Sequence, residues 1–173
     1  LYEVLGPFMD AGDVIGHEPM GLVVEAGPES GLAVGDRVVV PFTISCGSCW
    51  MCAKGLTTQC ERTQVREYGS GAALYGYSRL YGSVPGGQAE YLRVPFASFN
   101  PIRVGSELPD HRYLFLSDIL PTAWQGVQYA GIGPGDTLTV YGLGRRAPRS
   151  TPCPSAGRSP SATGCGRSIS ATT

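Results

Sequence analysis

The sequence predicts a mainly β domain, an irregular antiparallel barrel, that leads into the first strand of an α/β unit. Three observations indicate this fold class. Short apolar runs alternate with glycine and proline over most of the chain. Helical periodicity occurs once, and the apolar strand after that helix ends in a Gly-x-Gly turn.

The barrel strands are predicted from apolar runs between turn signals. Val34-Gly35-Asp36 and Val84-Pro85-Gly86-Gly87 suit turns, because glycine and proline favour the backbone conformations that tight turns need. The runs between such turns predict strands at residues 21–25, 37–42, 89–94 and 113–116.

One helix is predicted after the barrel. Pro121 suits its first position, because proline lacks the N–H that is unpaired there in any helix. Ala123, Val127 and Ala130 recur at helical spacing, and Gly131 provides the stop.

A buried strand is predicted at residues 137–141, directly before Gly142-Leu143-Gly144. A dinucleotide-binding unit begins in this way, because glycine lets the backbone approach a pyrophosphate at a helix N-terminus. Three prolines between residues 148 and 154 interrupt the helix that should follow. An ordinary tight turn is therefore the alternative, although the position after a helix and a strand favours the cofactor site.

The last 29 residues differ in composition from the rest of the chain. From Arg145 onward the sequence consists mostly of Arg, Ser, Thr, Pro, Gly and Ala, and Ile169 is its only large aliphatic residue. Such a segment buries too little apolar area to offset the entropy of ordering it, so residues 145–173 are predicted to be disordered. The abrupt change suggests a shifted reading frame.

Composition limits the classes of partner. The chain has 173 residues, 42% of them hydrophobic, and a formal net charge of −1. Nothing in this balance indicates a nucleic-acid or membrane partner. No signal segment is visible, and a cytoplasmic setting is expected because free thiols persist there.

Four cysteines in one fifteen-residue loop carry the strongest chemical signal. Cys46, Cys49, Cys52 and Cys60 have the spacing Cys-x2-Cys-x2-Cys-x7-Cys. Thiolates at this spacing can surround one Zn²⁺ tetrahedrally, so a structural zinc site is predicted. Two alternatives stay open. A disulfide pair would need an oxidising compartment, and an iron–sulfur cluster usually takes its fourth cysteine sooner, before a proline.

A second candidate metal site lies in the turn Gly16-His17-Glu18-Pro19. A neutral imidazole beside a carboxylate can ligate a catalytic zinc, and the alternative is a hydrogen-bonded turn histidine with a solvated carboxylate. His111 is predicted to lie in a surface loop. Asp118 is a further candidate, because it follows one predicted strand and precedes the predicted helix.

In their order along the chain, these motifs resemble zinc-containing medium-chain alcohol dehydrogenases. The resemblance rests on Gly16-His17-Glu18, the four-cysteine loop, Gly86-Gly87-Gln88-Ala89-Glu90-Tyr91 and Gly142-Leu143-Gly144. The segment Leu116-Ser117-Asp118-Ile119-Leu120-Pro121-Thr122 is similar to the subgroup in which Asp replaces Cys as a catalytic zinc ligand, as in glutathione-independent formaldehyde dehydrogenases.

This resemblance implies a GroES-like catalytic domain at residues 1–116 and the start of a Rossmann NAD(P)-binding domain at residues 117–144. It implies a structural zinc on the four cysteines of the loop. It also implies a catalytic zinc on His17 and Asp118, with Glu18 as a nearby or exchanging ligand.

The resemblance further assigns three cofactor-binding residues. Thr122 matches a position that lies against the nicotinamide in relatives. Gly142 and Gly144 match the start of the turn that holds the pyrophosphate.

The implied reaction is hydride transfer between an alcohol, or an aldehyde hydrate, and NAD or NADP. Zinc would bind the substrate oxygen and lower the pKa of the alcohol. Homo-oligomers are implied for full-length relatives.

The family pattern also departs from this sequence at both ends. Its first catalytic cysteine would precede residue 1, and its cofactor domain would continue beyond Gly144. We therefore expect the chain as given to be an inactive fragment, and the alternative is a non-enzymatic zinc-binding GroES-like module.

Overall fold

The computed structural model describes residues 2–140 and 167–170. These residues belong to two compact units, one extending to Ala123 and the other starting at Trp124. The first unit contains a small sheet, several short helices and both candidate metal sites.

The sheet of the first unit has three antiparallel strands in the order β1-β2-β3. They are β1 (Met20–Leu22), β2 (Arg37–Val39) and β3 (Ile102–Arg103). Gly21 lies opposite Val38, which in turn lies opposite Arg103. The strands predicted at 21–25 and 37–42 are thus present but shorter.

The helices of the first unit are short. They are α1 (Tyr2–Leu5), α2 (Trp50–Ala53) and α3 (Asp110–Tyr113), with single 3₁₀ turns at Gly6–Phe8, Thr57–Gln59, Arg66–Tyr68, Arg79–Tyr81 and Leu114–Ser117. Loops make up most of the remainder of this unit.

The strand predicted at residues 113–116 is wrong, because these residues are helical. Pro109 is the N-cap of α3 and Asp110 lies in its first turn, and both are helix-start signals. Arg37 of β2 donates to the Asp110 carboxylate at 2.8 Å and lies 5.1 Å above the Tyr113 ring. His111 therefore lies in a helix and not in a loop, although it is exposed as expected.

The strand predicted at residues 89–94 is also wrong, since no strand is assigned there in the described part of the chain. An apolar run between turns forms a strand only where a neighbouring backbone can pair with it. The preceding residues pair elsewhere: Gly86 and Gln88 donate their N–H groups to the carbonyls of Val14 and Ile15, at 2.7 and 3.0 Å.

Two adjoining clusters of buried side chains form the interior of the first unit. One contains Val38, Val40, Ile44, Ala73 and Tyr75. The other contains three of the loop cysteines and Ala72. Phe96 packs against both clusters, so the cysteine loop is continuous with the hydrophobic core.

Helix α4 (Ile119–Tyr129) begins in the first unit and continues into the second. It starts two residues before the predicted start, which places Pro121 at its third position, still in the first turn, where its missing N–H is tolerated. The stop is at Gly131, as predicted, with φ of +63° and its N–H donated to the Gln128 carbonyl.

The second unit also contains β4 (Thr137–Val140) and β5 (Arg167–Ser170), which pair antiparallel. Disorder was predicted for residues 145–173, of which the structure describes β5, and the disordered tail stays a prediction. Strand pairing satisfies backbone N–H and C=O groups whatever the side chains, so a segment without an apolar core can still pair with an edge strand. The rest of that segment lies outside the described residues.

No helix in the described ranges combines the length and the apolar character that crossing a membrane requires.

A close backbone contact between Gly16 and Gly76 leads to the first prediction. A Cβ atom at Gly76 would overlap the N, C and O atoms of Gly16, whereas one at Gly69 would meet nothing. Both glycines have left-handed φ, +63° and +65°. We expect Gly69→Ala to lower the free energy of unfolding by about 1–2 kcal/mol through backbone strain alone. Gly76→Ala should cost about 1–3 kcal/mol more, because it also forces the two segments apart.

Urea unfolding of the two variants measures this difference. Equal losses of stability in Gly69→Ala and Gly76→Ala would show that the close contact does not stabilise the fold.

Candidate functional site

The four loop cysteines converge on one point. Their Sγ atoms all lie within 4.8 Å of one another, and the Cys49 and Cys60 sulfurs are 4.0 Å apart. Tetrahedral zinc with Zn–S bonds of about 2.3 Å separates its sulfurs by about 3.8 Å. The cage therefore has the size for one tetrahedral ion. All four residues are free thiols, so the structure contains no disulfide in this loop.

Backbone N–H groups point at the sulfurs of the cage. Cys46 Sγ accepts from the N–H groups of Ser48 and Cys49 at 3.5 and 3.3 Å, and Cys60 Sγ accepts from the N–H of Cys46 at 3.3 Å. The Cys49 sulfur caps the N-terminus of α2 by accepting from the N–H of Cys52. These donors stabilise negative charge on sulfur, which is the form that binds metal.

The thiols differ in how readily they lose a proton. Burial raises the pKa of Cys46, but the hydrogen bonds from Ser48 and Cys49 outweigh it and lower this pKa to about 6. Burial opposes ionisation of Cys60 as well, yet hydrogen bonds lower its pKa. The pKa of Cys52 is raised to about 12 by burial and by its hydrogen bond with Cys49. An ion in the cage would have to displace the Cys52 proton.

The structure brings His17 and Asp118 together across 101 residues of sequence. His17 Nε2 and Asp118 Oδ2 are 3.0 Å apart, and the two side chains are 32% and 21% exposed. Two such ligands on one tetrahedral zinc would be about 3.4 Å apart. The distance between these two atoms is therefore close to the distance expected between two ligands of one zinc ion, and both side chains are partly exposed to solvent.

Thr122 orients the carboxylate of this pair. Its hydroxyl donates to Asp118 Oδ1 at 2.6 Å, one turn into α4. Asp118 Oδ1 therefore has a hydrogen-bond donor, and Oδ2 lies next to His17 Nε2.

Glu18 does not complete a three-ligand group. Within the described ranges the cysteine cage is the single cluster of three or more His, Cys, Asp or Glu side chains with converging ligand atoms. Glu18 Oε1 is nevertheless buried and has no hydrogen-bond partner there. A carboxylate oxygen removed from water is stabilised by a cation or a donor, so the role of Glu18 as a nearby ligand stays a prediction.

Backbone hydrogen bonds position His17 and Asp118. Gly16, which precedes His17, accepts from the N–H of Gly87 at 2.8 Å. Phe42 links the other segments of the site: its N–H donates to the Ser117 carbonyl at 3.2 Å, and its carbonyl accepts from the N–H of Tyr75 at 3.1 Å. The residue after Ser117 is Asp118.

Two aromatic residues of the site were not predicted from the sequence. The rings of Tyr77 and Phe42 lie 4.9 and 6.2 Å from the imidazole of His17, measured between centroids. Burial raises the pKa of Tyr77, and the charges of Asp118 and Glu18 raise it further, so its phenol is neutral near pH 7. No local motif distinguishes Tyr77 from the other eight tyrosines.

The remaining predicted site residues do not join these groups. Gly142 and Gly144 lie outside the described residues. Their assignment to cofactor binding stays a prediction.

The alcohol dehydrogenase GroES-like domain family matches residues 3–103, more than half of the chain. The chain belongs to this family. The GroES-like fold inferred from the motifs is thereby confirmed.

Named relatives agree with the family and with the subgroup. The chain is 45% identical over 141 residues to the zinc-type alcohol dehydrogenase-like protein AdhB of Bacillus subtilis, covering 80% of this chain and 37% of that protein. It is 43% identical over 138 residues to a glutathione-independent formaldehyde dehydrogenase of Pseudomonas aeruginosa, covering 77% of this chain and 34% of that protein. The chain thus spans about a third of the length of these relatives.

A solved structure has the same fold. The alcohol dehydrogenase TADH from Thermus sp. ATN1 superposes with a TM-score of 0.66 and 38% identity, over 74% of this chain and 34% of that one. The resemblance to zinc-type alcohol dehydrogenases, drawn from scattered motifs, is confirmed by sequence and by structure.

The cysteine cage of this GroES-like domain provides the second prediction. Cys60→Ser should reduce the zinc content of the purified chain by one equivalent, because serine is a poor ligand for zinc. The melting temperature should fall as well, because Cys60 is fully buried in the cluster that contains Cys46, Cys52 and Ala72.

Elemental analysis and thermal unfolding provide the readouts, and Cys165→Ser, outside the loop, serves as the matched control. Unchanged zinc content in Cys60→Ser would exclude the cage as the zinc site.

Proposed function

We propose that this chain forms the zinc-binding catalytic part of a dehydrogenase. The enzyme would transfer hydride between a small alcohol or aldehyde hydrate and NAD or NADP. The observation that carries this proposal is the separation of 3.0 Å between His17 Nε2 and Asp118 Oδ2, in a half-buried site distinct from the cysteine cage.

The two candidate metal sites suit different tasks. Four converging thiolates close a coordination shell, as structural zinc requires, while catalytic zinc needs an open position for substrate. His17 and Asp118 provide fewer ligands and remain a third to a fifth exposed. When bound there, zinc supplies a Lewis acid that lowers the pKa of an alcohol and stabilises negative charge on its oxygen.

The chain's own residues prepare this site in distinct ways. His17 supplies a neutral nitrogen ligand and Asp118 an anionic oxygen ligand. Thr122 holds the Asp118 carboxylate through its 2.6 Å hydrogen bond, as the outer partners of metal ligands commonly do. Glu18 adds a second carboxylate whose buried oxygen has no donor among the described residues, and we assign it as a nearby or exchanging ligand.

The cofactor assignment rests on the resemblance to the family. Gly142-Leu143-Gly144 would begin the turn that holds the pyrophosphate, since glycine permits close backbone approach. Thr122 would lie against the nicotinamide, one helical turn from Asp118. When bound, the nicotinamide would supply the hydride donor or acceptor of the reaction.

The substrate class follows from the same relationship. The glutathione-independent formaldehyde dehydrogenase of Pseudomonas aeruginosa is 43% identical to this chain, which supports a small alcohol or an aldehyde hydrate as substrate. Homo-oligomerisation and a reducing, cytoplasmic setting, which free thiols favour, belong to the same proposal.

Cobalt reconstitution tests the two-site assignment, because Co²⁺ replaces Zn²⁺ in tetrahedral sites and gives visible absorption. The wild-type chain should bind one ion tightly in the cage and a second, weaker ion at His17 and Asp118. His17→Ala should lose the second equivalent and retain the first. His111→Ala is the matched control, since His111 is exposed on α3, and it should bind both.

An NAD⁺ reduction assay with short alcohols and formaldehyde accompanies this titration. Retention of the second ion by His17→Ala contradicts the proposed catalytic site. A wild-type chain that binds one ion and reduces no cofactor favours the non-enzymatic zinc-binding module.

A further inference from the structure

The imidazole of His17 contacts aromatic rings on two sides. The Tyr77 ring is tilted by 48° with its centroid 4.9 Å away, and the Phe42 ring meets it edge-on at 83° and 6.2 Å. Both separations lie in the range of favourable aromatic contacts. The closer and more overlapping contact is the one with Tyr77.

A ring held only by its own torsion angles would not keep this orientation. The outer torsion of a histidine side chain is broad and roughly two-fold, so a half-turn of the ring puts Cε1 where Nε2 was and Cδ2 where Nδ1 was. His17 is one-third exposed, and solvent on that side offers no barrier to rotation. The hydrogen bond to Asp118 constrains one atom of the ring, and the tilted contact with Tyr77 constrains its plane.

A second tyrosine ring packs against Tyr77. The Tyr81 ring meets it at 66° with a centroid separation of 5.6 Å. Tyr81 ends the 3₁₀ turn Arg79–Tyr81, and Arg79 donates to the Asp10 carboxylate at 2.8 Å and to the Pro7 carbonyl at 3.0 Å. The support for Tyr77 therefore reaches back to the N-terminal segment.

The backbone places the two rings together. Gly16 precedes His17 and Gly76 precedes Tyr77, and the two glycines are in contact through their backbones. This contact brings the starting points of both side chains close together, and the two rings lie with their centroids 4.9 Å apart.

We propose that Tyr77, supported by Tyr81, is a positioning residue that holds the His17 imidazole with Nε2 directed at Asp118 before any metal binds. The role is carried by the ring and does not need the hydroxyl. This inference rests on the proposed function, because it assigns Nε2 of His17 to metal binding.

Histidine ¹H–¹⁵N NMR of the metal-free chain tests the proposal directly. The chain contains two histidines, so His17→Ala assigns both, and exposed His111 is an internal reference. The ¹⁵N shifts of a neutral imidazole show which ring nitrogen carries the proton. Tyr77→Leu should shift the His17 ring signals by removing the ring current and should mix its tautomers, while His111 stays unchanged.

Tyr77→Phe should preserve the single tautomer of wild-type His17, because it keeps the ring and removes only the hydroxyl. Tyr91→Leu is the control for loss of a tyrosine, since Tyr91 is 74% exposed, and it should leave both histidines unchanged. The second Co²⁺ should bind about 10–100-fold more weakly to Tyr77→Leu, the usual effect of losing an outer partner of a ligand.

The cobalt absorption of the cysteine cage reports whether each variant is folded. If Tyr77→Leu loses that absorption, Tyr81→Leu replaces it, because it removes the support of Tyr77 without touching His17, and it should cause the same mixing of tautomers. A folded Tyr77→Leu or Tyr81→Leu variant in which His17 keeps the single wild-type tautomer overturns the proposal. Failure of wild type to bind a second ion would instead contradict the proposed function, since the NMR readout needs no metal.

Discussion

The contact between the backbones of Gly16 and Gly76 is the constraint on which the candidate site depends. Gly86 closes against the same segment, and a Cβ atom at either Gly76 or Gly86 would overlap Gly16. Three chain segments distant in sequence thus meet where no side chain fits between them. The residues that follow Gly16 and Gly76 are His17 and Tyr77, so the packing of glycines determines which functional side chains become neighbours.

The second constraint is the cysteine cage, whose four residues lie within one fifteen-residue loop. Backbone N–H groups of the loop already point at Cys46 and Cys60 sulfurs, and a short helix capped by Cys49 holds the turn. Phe96 joins this cage to the hydrophobic core. An ion in the cage would therefore stabilise a loop that packs on the core, whereas His17 and Asp118 lie in a partly exposed site.

Several elements could be predicted from the sequence and several could not. The convergence of the four cysteine sulfurs could be predicted from their spacing, because all four ligands lie in one loop and do not depend on contacts with distant segments. The helix stop at Gly131 and the strand at β4 were anticipated from local signals. The strand predicted at residues 89–94 was wrong because an apolar run between turns does not specify a pairing partner. The strand predicted at residues 113–116 was wrong because an apolar run of four residues suits a strand or a helical turn equally well.

The sequence alone determined the chemistry of the ligands: the thiolate spacing, and His17, Glu18 and Asp118 as residues able to bind a metal. Only the tertiary structure decided which of them meet. It placed His17 Nε2 3.0 Å from Asp118 and left Glu18 outside a converging group. It also added Phe42 and Tyr77, which no motif marks. The physical reason is that the type of each ligand and the spacing within one loop can be read from neighbouring residues. A contact across 101 residues depends instead on how separate segments pack.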